Sequence, residues 1–238
     1  MVMLMLWSVP RCRSTAFYRM MVERGDFTGV FEPFSHVEAF GRADVGGRQA
    51  ASAAEVLAEL RSLAATRPVF IKDTTDRRHS AALADERFLA QDARHAFLIR
   101  EPRETIRSTL VFRREPRIHE IGFEAQYELY LKVSRLTGSD PVVVDASDLM
   151  TRPAATVQAY CARVGIEFRP DALAWQPGEL PEFGGGFSHW FTDAAASSGL
   201  GEVPGRRGLD ADQHPLLDTY LAYHRPYYQR LHERRLIV

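Results

Sequence analysis

The chain has 238 residues, 45% of them hydrophobic and 11% aromatic, enough to bury a core of full domain size without dividing in two. Its 30 basic and 31 acidic residues leave a net charge of −1, so bulk charge excludes a general pull towards nucleic acid or a membrane surface. Any positive charge that matters is local. The basic residues are mostly Arg, with Lys at Lys72 and Lys132, and each Arg carries a charge that cannot be titrated away. Cys12 and Cys161 are too few for a disulfide framework and lack metal-ligand spacing. The apolar start MVMLMLW has no basic n-region and no small-residue cleavage site, and Arg11 and Arg13 interrupt it far short of a membrane span. The expectation is a soluble, cytoplasmic protein.

Taken in chain order, MVMLMLW reads as a strand buried on both faces and Ser14 to Arg24 as a helix. A helix over Ala51 to Thr66 precedes the strand PVFIK (Pro68 to Lys72). Another helix over Ala81 to Ala90 precedes the strand HAFLIR (His95 to Arg100). Helices over Glu101 to Arg113 and Gly122 to Leu136 lead to the strand PVVVDA (Pro141 to Ala146), and a helix follows over Ala154 to Val164. Strands alternating with helices predict a three-layer α/β/α domain with a mostly parallel central sheet. Residues 169–214 are rich in Gly and Pro and read as a cover over a site. The last helix runs from about Pro215 to Arg235, and Pro226 should kink or divide it. A single domain over 1–238 is expected, with an α/β core over 1–168, the cover, and a C-terminal helical segment over 215–238.

In an open parallel sheet, ligands sit beyond the carboxyl ends of the strands. Two strand ends here carry anion-binding chemistry. In SVPRCRST, Ser14 or Thr15 can cap the helix, whose first-turn N–H groups point outward beside Arg11 and Arg13, the physics of a phosphate or sulfate cradle. An ordinary capped helix with two solvated arginines is the plainer alternative. In FLIREPRETIRST, Arg100 ends a strand, Pro102 starts a helix and Ser108 falls two turns into it.

The first loop can be compared with three phosphate-binding patterns. It has neither the glycines nor the Lys of a Walker loop. Cys12-Arg13-Ser14 looks like the C-R-S of low-molecular-weight tyrosine phosphatases, but Trp7 stands where their nucleophilic Cys belongs, so no phosphocysteine can form. Pro10-Arg11-Cys12-Arg13-Ser14-Thr15 resembles, position by position, the P-[KR]-[ST]-G-[ST]-[ST] loop of cytosolic-type and related bacterial sulfotransferases. These use 3′-phosphoadenosine 5′-phosphosulfate (PAPS) and release its desulfated product, PAP. In that family the loop holds the 5′-phosphosulfate, and a strand-final Arg with a Ser eight positions on binds the 3′-phosphate; Arg100 and Ser108 reproduce that spacing. PVVVDASDLMTRPAATVQAYCARVGI resembles the family's later strand and helix, so the likeness covers the chain to about residue 168.

The resemblance implies a P-loop-like sulfotransferase fold, a nucleotide-binding core, PAPS as donor, no metal, and sulfuryl transfer to a hydroxyl or amine of a small-molecule acceptor. Arg11 takes the position of the family's usual Lys, and can stabilise a leaving phosphate but not readily protonate it. Arg13 stands where the family commonly has Gly. On the acceptor side, IKDTTDRRH matches the family's Lys-Thr-His segment at Lys72, but Thr74 replaces the His. Asp73, Asp76 and His79 remain candidate bases, with turn or helix-end roles as the alternative for each. Arg206-Arg207-Gly208 resembles the basic segment that completes the 3′-phosphate site. His189 and Trp190 lie in the cover, where Trp190 can stack on a ligand or pin the segment down. A phosphotransferase or phosphatase on a related loop, or a PAP-binding module without turnover, are the competing readings. Neither nucleic acid nor membrane is an expected partner, and a homodimer is compatible with the sequence.

Overall fold

The computed structural model describes residues 2–113, 115–178, 180, 182, 192–201 and 213–238. The chain order is β1 (Met3–Ser8), α1 (Ser14–Glu23), β2 (Thr28–Phe31), α2 (Pro33–Phe40), β3 (Ala43–Val45), β4 (Arg48–Ala50), α3 (Ala53–Thr66), β5 (Val69–Thr74), α4 (Ser80–Leu83), β6 (Arg94–Ile99), α5 (Pro102–Phe112), α6 (Phe123–Thr137), β7 (Val142–Asp145), α7 (Ala146–Thr151), α8 (Pro153–Val164), α9 (Thr192–Ala196) and α10 (Leu217–His232). Five strands form one sheet in the order β2-β5-β1-β6-β7, every pair parallel, and β3 and β4 form a small antiparallel hairpin. The α/β reading is therefore correct, as are the four long strands.

β1 is central and buried along its whole length. Leu4 and Leu6 enter one half of the core with Phe17, Met20 and Met21 of α1 and Val157 and Tyr160 of α8. Met3, Met5 and Trp7 enter the other, with Val56, Leu57 and Leu60 of α3 and Leu129 and Tyr130 of α6. That period-2 division between two helical layers is why MVMLMLW is apolar without a break. The Trp7 indole N–H donates to His95 Nδ1 at 3.0 Å, and His95 Nε2 lies 3.3 Å from the Phe88 carbonyl. Burial pushes the His95 imidazole down to about 4, so it stays neutral and accepts the indole hydrogen.

Three sequence expectations change. The stretch expected to be helical from Ala81 to Ala90 holds only α4 and a π-helical turn over Phe88–Asp92. Asp85 interrupts it by accepting the Phe88 N–H at 2.9 Å, and Arg61 of α3 holds both Asp85 and Asp92. β2 and the β3–β4 hairpin are additional strands. Pro226 does not divide α10, which is unbroken through it; Pro226 and Ala222 are exposed, so the carbonyl that loses its i+4 donor can turn to water.

Beyond α8, residues 173–178 and 194–200 pair with one another, Leu200 N–H donating to the Leu173 carbonyl at 3.0 Å and Trp175 N–H to the Ser198 carbonyl at 3.0 Å. Arg19 of α1 clamps this pair by donating to the carbonyls of Gln176 and Gly178, both at 2.5 Å. The rest of the expected cover, with His189, Trp190 and Arg206-Arg207-Gly208, lies outside the described residues. After α10 the Leu236 N–H bonds the Val143 carbonyl at 2.8 Å, so the C-terminal segment pairs with β7 at the sheet's edge.

Two stability predictions follow from this packing. A Cβ on Gly29 of β2 would lie 2.4 Å from Tyr18 Oη and 2.8 Å from its ring. Gly29→Ala should therefore destabilise by ~1–3 kcal/mol in chemical denaturation, the usual cost of overpacking. His95 and His224 are both held down to about 4 by burial, whereas an unfolded imidazole titrates near ~6.5. The unfolded chain then binds the extra protons, so the stability these two histidines contribute is full above about 6.5 and is lost as pH falls towards about 4. Denaturant midpoints across that range should fall with pH, and fall less in His95→Gln.

Candidate functional site

The connections leaving β1 and β6 run towards opposite edges of the sheet, to β2 and β7, which places the sheet's switch point between their carboxyl ends. Residues 9–13 follow β1, and Arg100 follows β6. Arg11 and Arg13 both adopt left-handed backbone, with φ of 62° and 68°. Such values are unusual for residues with a Cβ. Arg13, at the position where the resembled loop has Gly, thus takes a conformation that suits Gly. Held strain of this kind is typical of sites the surrounding fold over-determines.

What holds the loop comes from α5. Arg11 Nε donates to Ser108 Oγ at 3.0 Å, its guanidinium lies 4.2 Å from the centre of the Phe112 ring, and its carbonyl accepts from Arg100 Nη1 at 2.9 Å. Arg100 also pairs with Glu104 at 2.9 Å. The two predicted motifs, 97 residues apart between Arg11 and Ser108, are therefore one hydrogen-bonded unit. Cys12 points inward: its Sγ donates to the Leu98 carbonyl at 3.1 Å, and burial pushes the thiol up to about 12, so it is not a nucleophile. Cys12 presents only backbone to the loop's outer face.

α1 begins at Ser14 with no side-chain cap and no acidic residue in its first turn. Three other helices at the carboxyl ends of strands are capped by carboxylates, α5 by Glu101, α7 by Asp145 and α2 by Asp73, whereas α3 is capped by the Ser52 hydroxyl and the short α4 has no side-chain cap. An open helix N-terminus beside Arg11, Arg13 and Arg100, with the hydroxyls of Ser14, Thr15 and Ser108 at hand, fits a phosphosulfate and a further phosphate.

The residues expected on the acceptor side gather at the end of β5, beside β1. Lys72 is 2% exposed, is ion-paired with Glu32 and lies 4.8 Å from the centre of the Phe31 ring. Asp73 is fully buried. It accepts from the N–H groups of Phe34, Ser35 and Thr74 and from Ser35 Oγ at 2.5 Å, and so serves as the N-terminal anchor of α2. His79 is buried between Glu38, 2.8 Å from Nδ1, and the Thr74 carbonyl, 2.8 Å from Nε2. Burial opposes its charge, but the Glu38 hydrogen bond and the Asp73 and Glu38 carboxylates prevail and raise it to about 9. At neutral pH both ring nitrogens donate, and the imidazole has no lone pair for another proton.

Asp76 differs. Its Oδ1 accepts from Thr74 Oγ at 2.7 Å, its Oδ2 lies 3.9 Å from Arg113, and its side chain retains 13% exposure. Gly122, at φ 93°, locks this loop in place: a Cβ there would lie 3.0 Å from the Thr75 carbonyl and 3.1 Å from the Asp76 nitrogen. Glu32, Ser35, Phe112 and Arg113 were not among the expected site residues, because no motif marks them and only the β2–β5 pairing and the end of α5 bring them here. Among the described residues, no group of three or more His, Cys, Asp or Glu side chains is placed to hold a metal ion, and no helix is long and apolar enough to cross a membrane.

Comparisons with known proteins identify the family and the fold. A family model described as "Sulfotransferase domain" matches residues 2–234. Two Arabidopsis thaliana proteins, branched-chain-amino-acid aminotransferase-like proteins 1 and 2, are 25% identical over 82% of this chain and 28% identical over 47% of it. The matched regions span 36% and 20% of those longer proteins. Among solved structures, a sulfotransferase from Alicyclobacillus acidocaldarius aligns over 98% of this chain and 96% of its own, with TM-score 0.53 and 14% identity. The sulfotransferase domain of the Synechococcus PCC 7002 olefin synthase aligns over 92% and 94%, with TM-score 0.51 and 17% identity. That of the curacin biosynthetic pathway aligns over 93% and 97%, with TM-score 0.50 and 13% identity. With the family model covering nearly the whole sequence and the same mostly parallel α/β architecture in these structures, the chain belongs to the sulfotransferase-domain family.

Proposed function

We propose that this protein transfers the sulfuryl group of PAPS to a hydroxyl or amine of a small molecule by in-line displacement. The observation that supports this most is the union of Arg11, Ser108 and Arg100 at the switch point, against a helix N-terminus left without a cap. One loop then serves the 5′-phosphosulfate, and Arg100 with Ser108 serves the 3′-phosphate. Ser108 accepts from Arg11 Nε, so its own hydroxyl hydrogen can be given to a phosphate oxygen.

In such a displacement the transferring group is loose and electron-poor, and charge grows on the departing phosphate oxygen. By analogy with phosphoryl transfer, the protein contributes position and charge stabilisation. Arg11 is the group for that charge: its guanidinium is fixed by Ser108 and Phe112 before the substrate arrives, so little reorganisation is needed at the moment of reaction. Backbone N–H groups of the first turn of α1 and the Ser14 and Thr15 hydroxyls complete the oxyanion pocket. Lys72, neutralised by Glu32, supports the wall of the site from below. A PAP-binding module without turnover is the second reading, favoured by the loss of the acceptor-side His at Thr74; rate measurements separate the two.

PAP should stabilise the protein in the presence of a chelator, by about 2.7 kcal/mol at one hundred times its dissociation constant. Arg100→Ala and Ser108→Ala should weaken PAP much more than adenosine 5′-phosphosulfate, which lacks the 3′-phosphate. A thermal shift with ATP and Mg2+ but none with PAP would refute the assignment. In single-turnover transfer from labelled PAPS, Arg11→Ala should lose ~3–4 kcal/mol of transition-state stabilisation, a hundredfold to a thousandfold in rate, while PAP affinity changes far less. Cys12→Ser retains a donor to the Leu98 carbonyl and should cost less than about tenfold; the opposite ranking would point to a thiol mechanism.

A further inference from the structure

We infer that Asp76 is the group that takes the acceptor's proton, and that Thr74 and Ser35 form a hydrogen-bond chain that reverses when it does so. The inference rests on the sulfuryl-transfer reading and names the base within it. Of the three titratable residues in this loop, Asp73 has its oxygens committed to the start of α2 and no exposure, and His79 is closed in between Glu38 and the Thr74 carbonyl. Of the three, Asp76 alone keeps appreciable side-chain exposure, 13%, with one oxygen on Thr74 and the other 3.9 Å from Arg113.

Position supports the assignment. Arg113 lies 3.9 Å from Asp76 Oδ2, and its neighbour Phe112 carries the Arg11 guanidinium 4.2 Å from its ring centre. Consecutive residues of α5 and its C-terminus therefore tie the donor loop after β1 to the loop after β5. The backbone agrees, since Thr75 N–H donates to the Ser8 carbonyl at 2.9 Å where the two strands end. A hydroxyl attacking sulfur held over Arg11 would approach from the Asp76 side.

The chain Asp73–Ser35–Thr74–Asp76 supplies the chemistry. Ser35 Oγ–H donates to Asp73 at 2.5 Å, and Thr74 Oγ–H donates to Asp76 at 2.7 Å. Each hydroxyl has one hydrogen, so the 3.1 Å contact between the two hydroxyl oxygens carries none while Asp76 is ionised. Once Asp76 Oδ1 is protonated, its new O–H can donate back to Thr74 Oγ. The hydrogen Thr74 releases then turns to Ser35 Oγ and fills the idle contact. Both states are fully hydrogen-bonded, so neither leaves a buried hydroxyl unpaired, which ordinarily costs ~1–3 kcal/mol.

The step balances. The acceptor oxygen bonds to sulfur as the bond from sulfur to the 5′-phosphate oxygen breaks, with its electron pair leaving on PAP. The acceptor's proton passes to Asp76 Oδ1, the oxygen that also accepts from Thr74, and then to water. Asp76 touches the reacting hydroxyl; Thr74 and Ser35 are positioning residues.

The test is transfer from PAPS to phenols of graded acidity by the wild type, Asp76→Asn, Asp76→Glu and Ser35→Ala, with PAP affinity measured by calorimetry on each. A weakly acidic phenol needs a base, and an acidic one arrives ionised. Asp76→Asn should lower kcat a hundredfold or more for the weakest acids, within the range for a lost general base, and leave the most acidic phenols within about twofold, with KM and PAP affinity little changed. Asp76→Glu should recover part of the loss, and Ser35→Ala should show a smaller loss graded with phenol acidity in the same sense. A loss in Asp76→Asn that is uniform across the phenols, or absent, overturns the assignment while sulfuryl transfer stands. A wild type that binds no PAP and transfers to no phenol overturns the underlying reading as well.

Discussion

Two hydrogen bonds that cross the switch point organise the site: Arg100 to the Arg11 carbonyl, and Arg11 Nε to Ser108. They join the loop after β1 to the end of β6 and to the second turn of α5, and they hold that loop in a backbone form that Arg11 and Arg13 would not choose alone. The cost of two left-handed non-glycine residues is of order 1–3 kcal/mol each. Charge-assisted hydrogen bonds and the Phe112 contact offset it locally. Cys12 adds to this from beneath, by tying the loop to the last turn of β6.

The end of β5 is built on a different balance of charge. Lys72 with Glu32 is a pair of opposite charges held close with little solvent, where an unmatched partner would be expensive, and the buried His79 is matched by the more exposed Glu38. Asp73 spends its charge on the start of α2. These pairings leave the end of β5 nearly neutral in sum, in contrast to the arginines of the loop after β1. Trp7 underlies both sides, stacking within 6.2 Å of Phe34 and His79 and reaching His95 across to β6.

Much of this was legible in the residues because the central strands are buried on both faces, which forces unbroken apolar runs such as MVMLMLW and PVVVDA. β2 was not, since TGVF is four residues long, contains Gly29 and is only half buried. The region after Leu83 misled because its apolar residues pack without continuous helix, Asp85 having redirected the backbone. The donor motifs could be read because Arg11, Arg100 and Ser108 sit at fixed offsets from strand ends. Glu32, Ser35 and Arg113 could not, because their place depends on which strand lies beside β5 and on where α5 stops, and neither is written in local spacing.

The Trp7–His95 hydrogen bond has a consequence for strand register. β1 is apolar on both sides, so hydrophobicity alone would tolerate a shift of one residue against β6. A one-residue slip would carry the loop about 3.3 Å along the strand direction, and would separate an indole N–H from its only imidazole acceptor in a dry interior. Unpaired, such a donor costs ~1–3 kcal/mol. A neutral, fully interior histidine thus acts as an indexing mark, fixing to within one residue where the loop after β1 begins.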